Sequence, residues 1–270
     1  MTIGTGRIFA LAGLLVLALP AAATAQERGT PESEWCKRGG NSDRGYFCEV
    51  RETTVAAPGT VAVDARPNGG IRAQGWDRGE MLVRTRVAAW AETDAEARDI
   101  VSAVDVAIED GRIRTTGPRT SGDRSWSASY ELFVPRRSNL DFSSTNGGIR
   151  IADVTGTIEF QTTNGGVSLS GLAGTVRGRT QNGGVAVTLA GSSWSGDGLD
   201  VHTTNGGVKL RIPEGYSAHL ETGTTNGGMH VDFPVTVQGR FGRTLSVDLG
   251  GGGATIRATT VNGGVSLQRP

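Results

Sequence analysis

Asn-Gly-Gly recurs through this chain at Asn68, Asn146, Asn164, Asn182, Asn205, Asn226 and Asn262. An apolar residue follows each time: Ile71, Ile149, Val167, Val185, Val208, Met229 and Val265. From Asn146 the intervals are 18, 18, 23, 21 and 36 residues. The interval of 23 absorbs a loop, Gly191-Ser192-Ser193-Trp194-Ser195-Gly196, and the last divides as 16 and 20 at a worn turn, Gly242-Arg243-Thr244. Glycine makes up 42 of 270 residues, far above the usual ~7%. So much glycine means either disorder or many tight turns, and disorder does not keep this register. Repeats of this length mark a stack of supersecondary units that bury their apolar faces against one another.

Within each repeat the alternation is period two, the mark of strands. Leu140, Phe142 and Ser144 share one parity before a turn, as do Ile158, Phe160 and Thr162, or Leu199, Val201 and Thr203. After the turn Ile149 and Ile151, Val167 and Leu169, Val185 and Val187, and Val208 and Leu210 alternate likewise. Asn-Gly is also a strong hairpin signal, but hairpins do not require one turn at one phase. The pattern therefore predicts an all-β fold, a parallel β-solenoid of about 18–23-residue coils over 138–270. The right-handed preference of parallel crossovers sets the expected hand. Asn and Gly tolerate the left-handed backbone of a sharp corner. Inward-facing asparagines stacked at the corner should bond their counterparts, giving a ladder at Asn146, Asn164, Asn182, Asn205, Asn226 and Asn262.

Ahead of the repeats, residues 57–137 read as an irregular β-rich region, continuous with the later sheets and ending near Pro135-Arg136-Arg137. Strands are expected at Thr60–Ala65, Met81–Trp90, Arg112–Thr116 and Ser125–Val134. One short helix should open at the capping box Thr93-Asp94-Ala95-Glu96, with Ala97, Ile100, Val101 and Val104 on one face. Residues 1–25 read as a signal peptide: Arg7, an apolar run from Ile8 to Leu19, then Ala23-Thr24-Ala25. The run falls short of the ~20 apolar residues of a membrane span. Export implies an oxidising compartment, where Cys36 and Cys48 should pair and pin a polar lead-in, 26–56. A loop of this size contributes about 3 kcal/mol. With 27 Lys+Arg against 27 Asp+Glu and no basic run, nucleic acid is not an expected partner.

Three stretches carry a family likeness. They are Asn68-Gly69-Gly70-Ile71 through Gly75-Trp76-Asp77, the series of Thr/Gln-Asn-Gly-Gly turns, and Gly250 to Ile256 running into Thr260-Val261-Asn262-Gly263-Gly264-Val265. In these the chain resembles the putative-adhesin family of unknown-function domains described as β-strand repeat proteins. The resemblance covers most of 57–270 and implies an extracytoplasmic β-solenoid. It carries over no catalytic residue.

Chemistry-bearing residues are sparse. His202, His219 and His230 should all face outward at different phases of the coil, so no metal site is expected. The turns lack the aspartates of calcium-binding solenoids, and no Gly-Lys-Ser/Thr follows Gly250–Gly253, so no phosphate loop or other cofactor is expected. One outward row reads Asp141, Glu159, Arg177, Asp200, Glu221 and Arg257. Strands ~4.8 Å apart would hold Asp141 and Glu159 near the spacing of a retaining glycosidase pair, although such charges also keep sheet faces soluble. Trp194, in the loop that interrupts the repeat, is expected to be exposed and to contact a partner, because loops inserted on solenoids often line a binding face. The reading is a non-enzymatic exported module acting through its surface at the cell envelope, with envelope glycan or an envelope protein as partner. The alternative is a glycan-cleaving enzyme on the carboxylate row.

Overall fold

The computed structural model describes residues 35–36, 44–234 and 242–270. The expected signal peptide and most of the lead-in up to Asp43 lie outside the described residues. The N-terminal part supplies β1 (Gly45–Ala56), β2 (Thr60–Asp64), β3 (Ile71–Trp76), β4 (Glu80–Ala91) and one helix, α1 (Asp94–Ser102). Then come β5 (Asp105–Glu109), β6 (Arg112–Thr116) and β7 (Ser125–Pro135). From there long and short strands alternate: β8 (Asn139–Asn146), β9 (Ile149–Ala152), β10 (Thr155–Asn164), β11 (Val167–Ser170), β12 (Ala173–Asn182) and β13 (Val185–Thr188). The alternation continues through β14 (Gly198–Asn205), β15 (Val208–Arg211), β16 (Ala218–Asn226) and β17 (Met229–Val231). β18 (Thr244–Leu249) stands apart, followed by β19 (Thr255–Asn262) and β20 (Val265–Gln268).

Each repeat places its long strand in one sheet and its short strand in the other. The short-strand sheet runs β1-β4-β7-β3-β9-β11-β13-β15-β20-β17, and the long-strand sheet runs β18-β16-β19-β14-β12-β10-β8-β2-β6-β5. The repeats pair in parallel and in strict register, Asn146 opposite Asn164 and Asn164 opposite Asn182. β2 and β3 form a further repeat in the same stack, pairing in parallel with β8 and β9. Both sheets therefore run unbroken from the irregular region into the regular one.

Two differences from the sequence reading concern order. The strands do not stack in chain order at the C-terminal end: β19 pairs with both β14 and β16, so the last repeat sits between two earlier ones. The segment after Gly242-Arg243-Thr244 is not a worn coil either, because β18 runs antiparallel to β16 and forms the edge of its sheet. β18 takes the open side of β16, away from β19, so it never enters the run of parallel repeats. Within the stretch read as a polar lead-in, Gly45–Ala56 forms the 12-residue strand β1, antiparallel to β4.

The core lies between the sheets and follows the alternation. Phe142, Ile149, Ile158, Leu169, Leu199 and Leu210 are fully buried, each stabilising the fold by about 1.5–3 kcal/mol relative to exposure. The helix begins as expected, with Thr93 Oγ1 accepting from the Glu96 amide at 3.2 Å. The reciprocal bond reaches one residue further back, from the Glu92 amide to Glu96 Oε2. Ala97, Ile100 and Val101 pack with Val87, Ala89, Ala91 and Val104 as a small second core. Cys36 and Cys48 form a disulfide with Cα atoms 5.7 Å apart. No helix among the described residues is long and apolar enough to cross a membrane.

Candidate functional site

The Asn-Gly-Gly corners form one continuous line across the stack. Each asparagine Nδ2 donates to the Oδ1 of the next at 2.8–2.9 Å, running Asn226 to Asn262, Asn205, Asn182, Asn164, Asn146 and Asn68. The ladder faces solvent instead of the core, since these asparagines are exposed. The inward parity ends two residues earlier, at a buried row of hydroxyls: Ser144, Thr162, Thr180, Thr203, Thr260 and Thr224. Each hydroxyl donates to the carbonyl of the first glycine in the adjoining turn at 2.7–2.9 Å. That bond satisfies a buried polar group, and losing one partner of such a pair costs roughly 1–3 kcal/mol.

The glycines are required here for a reason other than a left-handed backbone. Among the described residues, no Asn-Gly-Gly position has positive φ; left-handed residues occur at the second corner instead, as at Asp153 (φ 56) and Gly174 (φ 94). A Cβ on the first glycine of a turn would stand 2.0–2.2 Å from the carbonyl oxygen of the equivalent glycine one repeat along, at Gly147, Gly165, Gly183, Gly206, Gly263 and Gly227. Close approach of backbone to backbone excludes every side chain.

On the outer face of the long-strand sheet the charged row is aligned by register, Asp141, Glu159, Arg177, Asp200, Arg257 and Glu221 in spatial order. Insertion of the last repeat puts Arg257 between two carboxylates: its Nε meets Glu221 Oε2 at 2.6 Å and its Nη1 lies 3.7 Å from Asp200 Oδ2. Asp141 and Glu159 sit side by side in a recess of about 490 Å³ with Arg177, Arg179, Asp200 and His202. The three histidines lie apart: His202 Nδ1 bonds Thr259 Oγ1 at 3.0 Å, and His230, on the other sheet, pairs with Asp232. No group of three metal-ligating side chains occurs among the described residues.

His219 lies among charged neighbours at the edge of the same sheet. Its Nδ1 is 2.7 Å from Asp248 Oδ1, while its Nε2 is 3.3 Å from Ser246 Oγ and 3.5 Å from Glu221 Oε1. The Asp248 hydrogen bond, followed by the charges of Asp248 and Glu221, raises the imidazole pKa above its ordinary value. The order of atoms is that of a serine–histidine–aspartate triad. However, the Glu221 carboxylate also reaches Nε2 and favours the protonated ring, which has no free nitrogen left to take a proton from a serine.

The outer face of the short-strand sheet carries two recesses. One, of about 430 Å³, is lined by Trp35, by Arg72, Arg150, Ser129 and Ser168, and by the glycines of three turns. The other, about 960 Å³ and open, lies over Ala186, Val208, Lys209, Arg211 and Met229. Trp35 is a recess residue that the sequence reading did not single out. Its signal was adjacency to Cys36, which ties it to β1.

Trp194 is a correction. It is 8% exposed, part of the main core, and its Nε1 donates to the Gly174 carbonyl at 2.9 Å. The inserted loop folds back over the second corner, where Ser195 accepts from the Gly174 amide at 2.7 Å and Ser193 bridges Ser217. An indole with both an apolar slot and an acceptor within reach gains more by burial than by exposure.

These features define an all-β stack of registered repeats, one strand of each repeat in each of two sheets. The chain belongs to the Toastrack DUF4097 family, whose profile matches residues 92–268. Among solved structures it is similar to a putative cell adhesion protein from Clostridium sporogenes, at 10% identity and a TM-score of 0.45 over 82% of this chain and 100% of that one. It is also similar to a putative adhesin from Bacteroides fragilis, at 11% identity and a TM-score of 0.33 over 82% and 97%. A putative adhesin from Parabacteroides distasonis follows, at 8% identity and a TM-score of 0.28 over 82% and 97%. Comparison with curated proteins finds no match.

Proposed function

We propose that the protein is a non-enzymatic, exported β-solenoid that acts through its surface as an adhesion, scaffold or sensing module of the cell envelope. In this reading the coils are right-handed, the hand favoured by parallel crossovers, and the compartment is periplasmic or extracellular, as the Cys36–Cys48 disulfide suits. The carrying observation is the register. Equivalent side chains repeat at one strand spacing, ~4.8 Å, across two outer faces, which suits repeated weak contacts with a polymer or a partner surface. The partner is then an envelope glycan or an envelope protein.

The test is co-sedimentation of residues 26–270 with isolated envelopes and with purified wall glycan, with released sugar assayed in the same tubes. Saturable binding at moderate salt without released sugar is the expected result. Sugar released in proportion to time, and abolished in Glu159→Gln, would replace this reading with the glycan-cleaving one. Failure to bind envelopes at all would remove the envelope role.

A further inference from the structure

The recess at Trp35 combines three features: a tethered aromatic ring, an uncompensated cation and a serine hydroxyl on either side. Trp35 precedes Cys36, whose sulfur is bonded to Cys48 on β1. The Cys36 carbonyl accepts from Tyr46 Oη at 3.2 Å, and Tyr46 Oη in turn accepts from Arg86 Nη2 at 3.0 Å. The half-buried indole is therefore held over β7, β3, β9 and β11, so little ordering remains to be done on binding. Below it, the turn glycines Gly70, Gly148 and Gly166 leave the floor free of side chains.

The charges opposite the ring differ from one another. Arg72 lies 3.4 Å from Glu131, and Arg84, which shares Glu131, also pairs with Glu52, so two carboxylates offset the two arginines. Arg150 is exposed and makes no ion pair among the described residues. Ser168 stands beside Arg150 in register, and at the far side of the recess the Ser129 hydroxyl on β7 accepts from the Gly70 amide at 3.3 Å. A pyranose offers an apolar C–H face to an aromatic ring and hydroxyls around its rim. A guanidinium prefers a planar carboxylate, which it grips with two parallel hydrogen bonds. The recess volume lies within the ~300–1,000 Å³ of ordinary ligand sites.

We infer that Trp35 and Arg150 form the two walls of a binding site for an acidic saccharide, with Ser129 and Ser168 meeting its hydroxyls. The inference rests on the surface-module reading and gives it a location. The experiment is calorimetric titration of the disulfide-bonded mature protein with a short oligogalacturonate, and with a neutral oligoglucose of equal length. The acidic oligomer should bind, and the neutral one should bind about tenfold more weakly or not at all. Trp35→Ala and Arg150→Gln should each weaken binding about tenfold, the loss that truncating one central contact brings. The pair Cys36→Ser/Cys48→Ser should do the same by releasing the ring. Trp35→Phe keeps a ring and should retain most of the affinity, which separates loss of the plate from loss of the fold.

No binding of the acidic oligomer, equal affinity for the neutral one, or unchanged affinity in Trp35→Ala and Arg150→Gln would each overturn the inference. Envelope binding that persists in Trp35→Ala would sink this site while leaving the surface-module reading intact. Envelope binding absent from the parent protein would sink both.

Discussion

A Cβ added to Gly165 would stand 2.2 Å from the Gly147 carbonyl oxygen, while one added to Gly166 would meet nothing nearer than 3.6 Å. Two adjacent glycines of one turn therefore do different jobs. The first sets how closely successive repeats approach; the second is spacious, and its φ lies outside the left-handed region. Gly165→Ala must push two repeats apart, breaking the bond from the Gly147 amide to the Asn164 carbonyl and the Thr162 hydroxyl bond to the Gly147 carbonyl. It should cost about 3 kcal/mol, the upper range for overpacking a filled interior. Gly166→Ala should change stability by no more than about 0.5 kcal/mol, as surface substitutions usually do. Chemical denaturation of the two variants beside the parent checks this, and equal effects would show that the corner can breathe. The asparagines call for similar care. They bond to one another yet remain exposed, so water can replace each lost partner, and a single Asn→Ala falls toward the low end of ~0.5–1.5 kcal/mol.

At the scale of elements, β18 is the piece held by titratable contacts. It packs on β16 with Asp248 beside His219, and Ser246 and Glu221 share the other ring nitrogen. Because the folded His219 pKa is raised, its contribution is fully present below the unfolded value of ~6.5 and is lost as pH climbs through the raised folded value. Backbone amides of β18 should thus lose hydrogen-exchange protection, after correction for intrinsic rates, as pH rises from about 6.5. Asp248→Asn should flatten that dependence, and a pH-independent β18 in the parent protein would refute the clamp. This strand also shows where sequence reading stops. Thr244–Leu249 alternates like any other repeat strand, and alternation says which residues are buried but not whether the neighbour runs parallel or antiparallel. The helix was legible because Thr93 and Glu96 make local bonds. The register of the asparagines was legible because each repeat copies the turn. The outward turn of the asparagines was not, since parity carries no warning of a corner; nor was the burial of Trp194, which depends on how a loop of small residues closes. The recess at Trp35 was hidden for a similar reason: its parts come from four strands and a disulfide, separated by up to about half the chain.

For the whole molecule the decisive feature is that chain order and stacking order differ. In a stack of repeats each unit is stabilised by its nearest neighbours, so removing a terminal unit costs a single interface. Here β19 and β20 come last in the chain but lie inside the stack, between β14–β15 and β16–β17. Asn262 likewise joins Asn205 to Asn226, and the Asn226 Nδ2 bond to it is the ladder's only link to that end. Deleting residues 255–270 therefore removes two interfaces and leaves β16, β17 and β18 with no sheet neighbour in the stack except one another. A lone pair of antiparallel strands is marginal in water. Residues 218–234 and 242–249 should become protease-sensitive in the truncated protein, while 57–188, whose strand pairings are untouched, should stay resistant; limited proteolysis with mass mapping of the fragments distinguishes the two. The alternative outcome is informative in its own right. β14 and β16 both pair with β19 in the same phase, Asn205 and Asn226 each opposite Asn262, so β16 could dock directly on β14 once β19 is gone. Continued protection of 218–234 and 242–249 would mean that the repeat register alone dictates the stack, and that the inserted position of the last repeat is a choice of chain path with no energetic necessity.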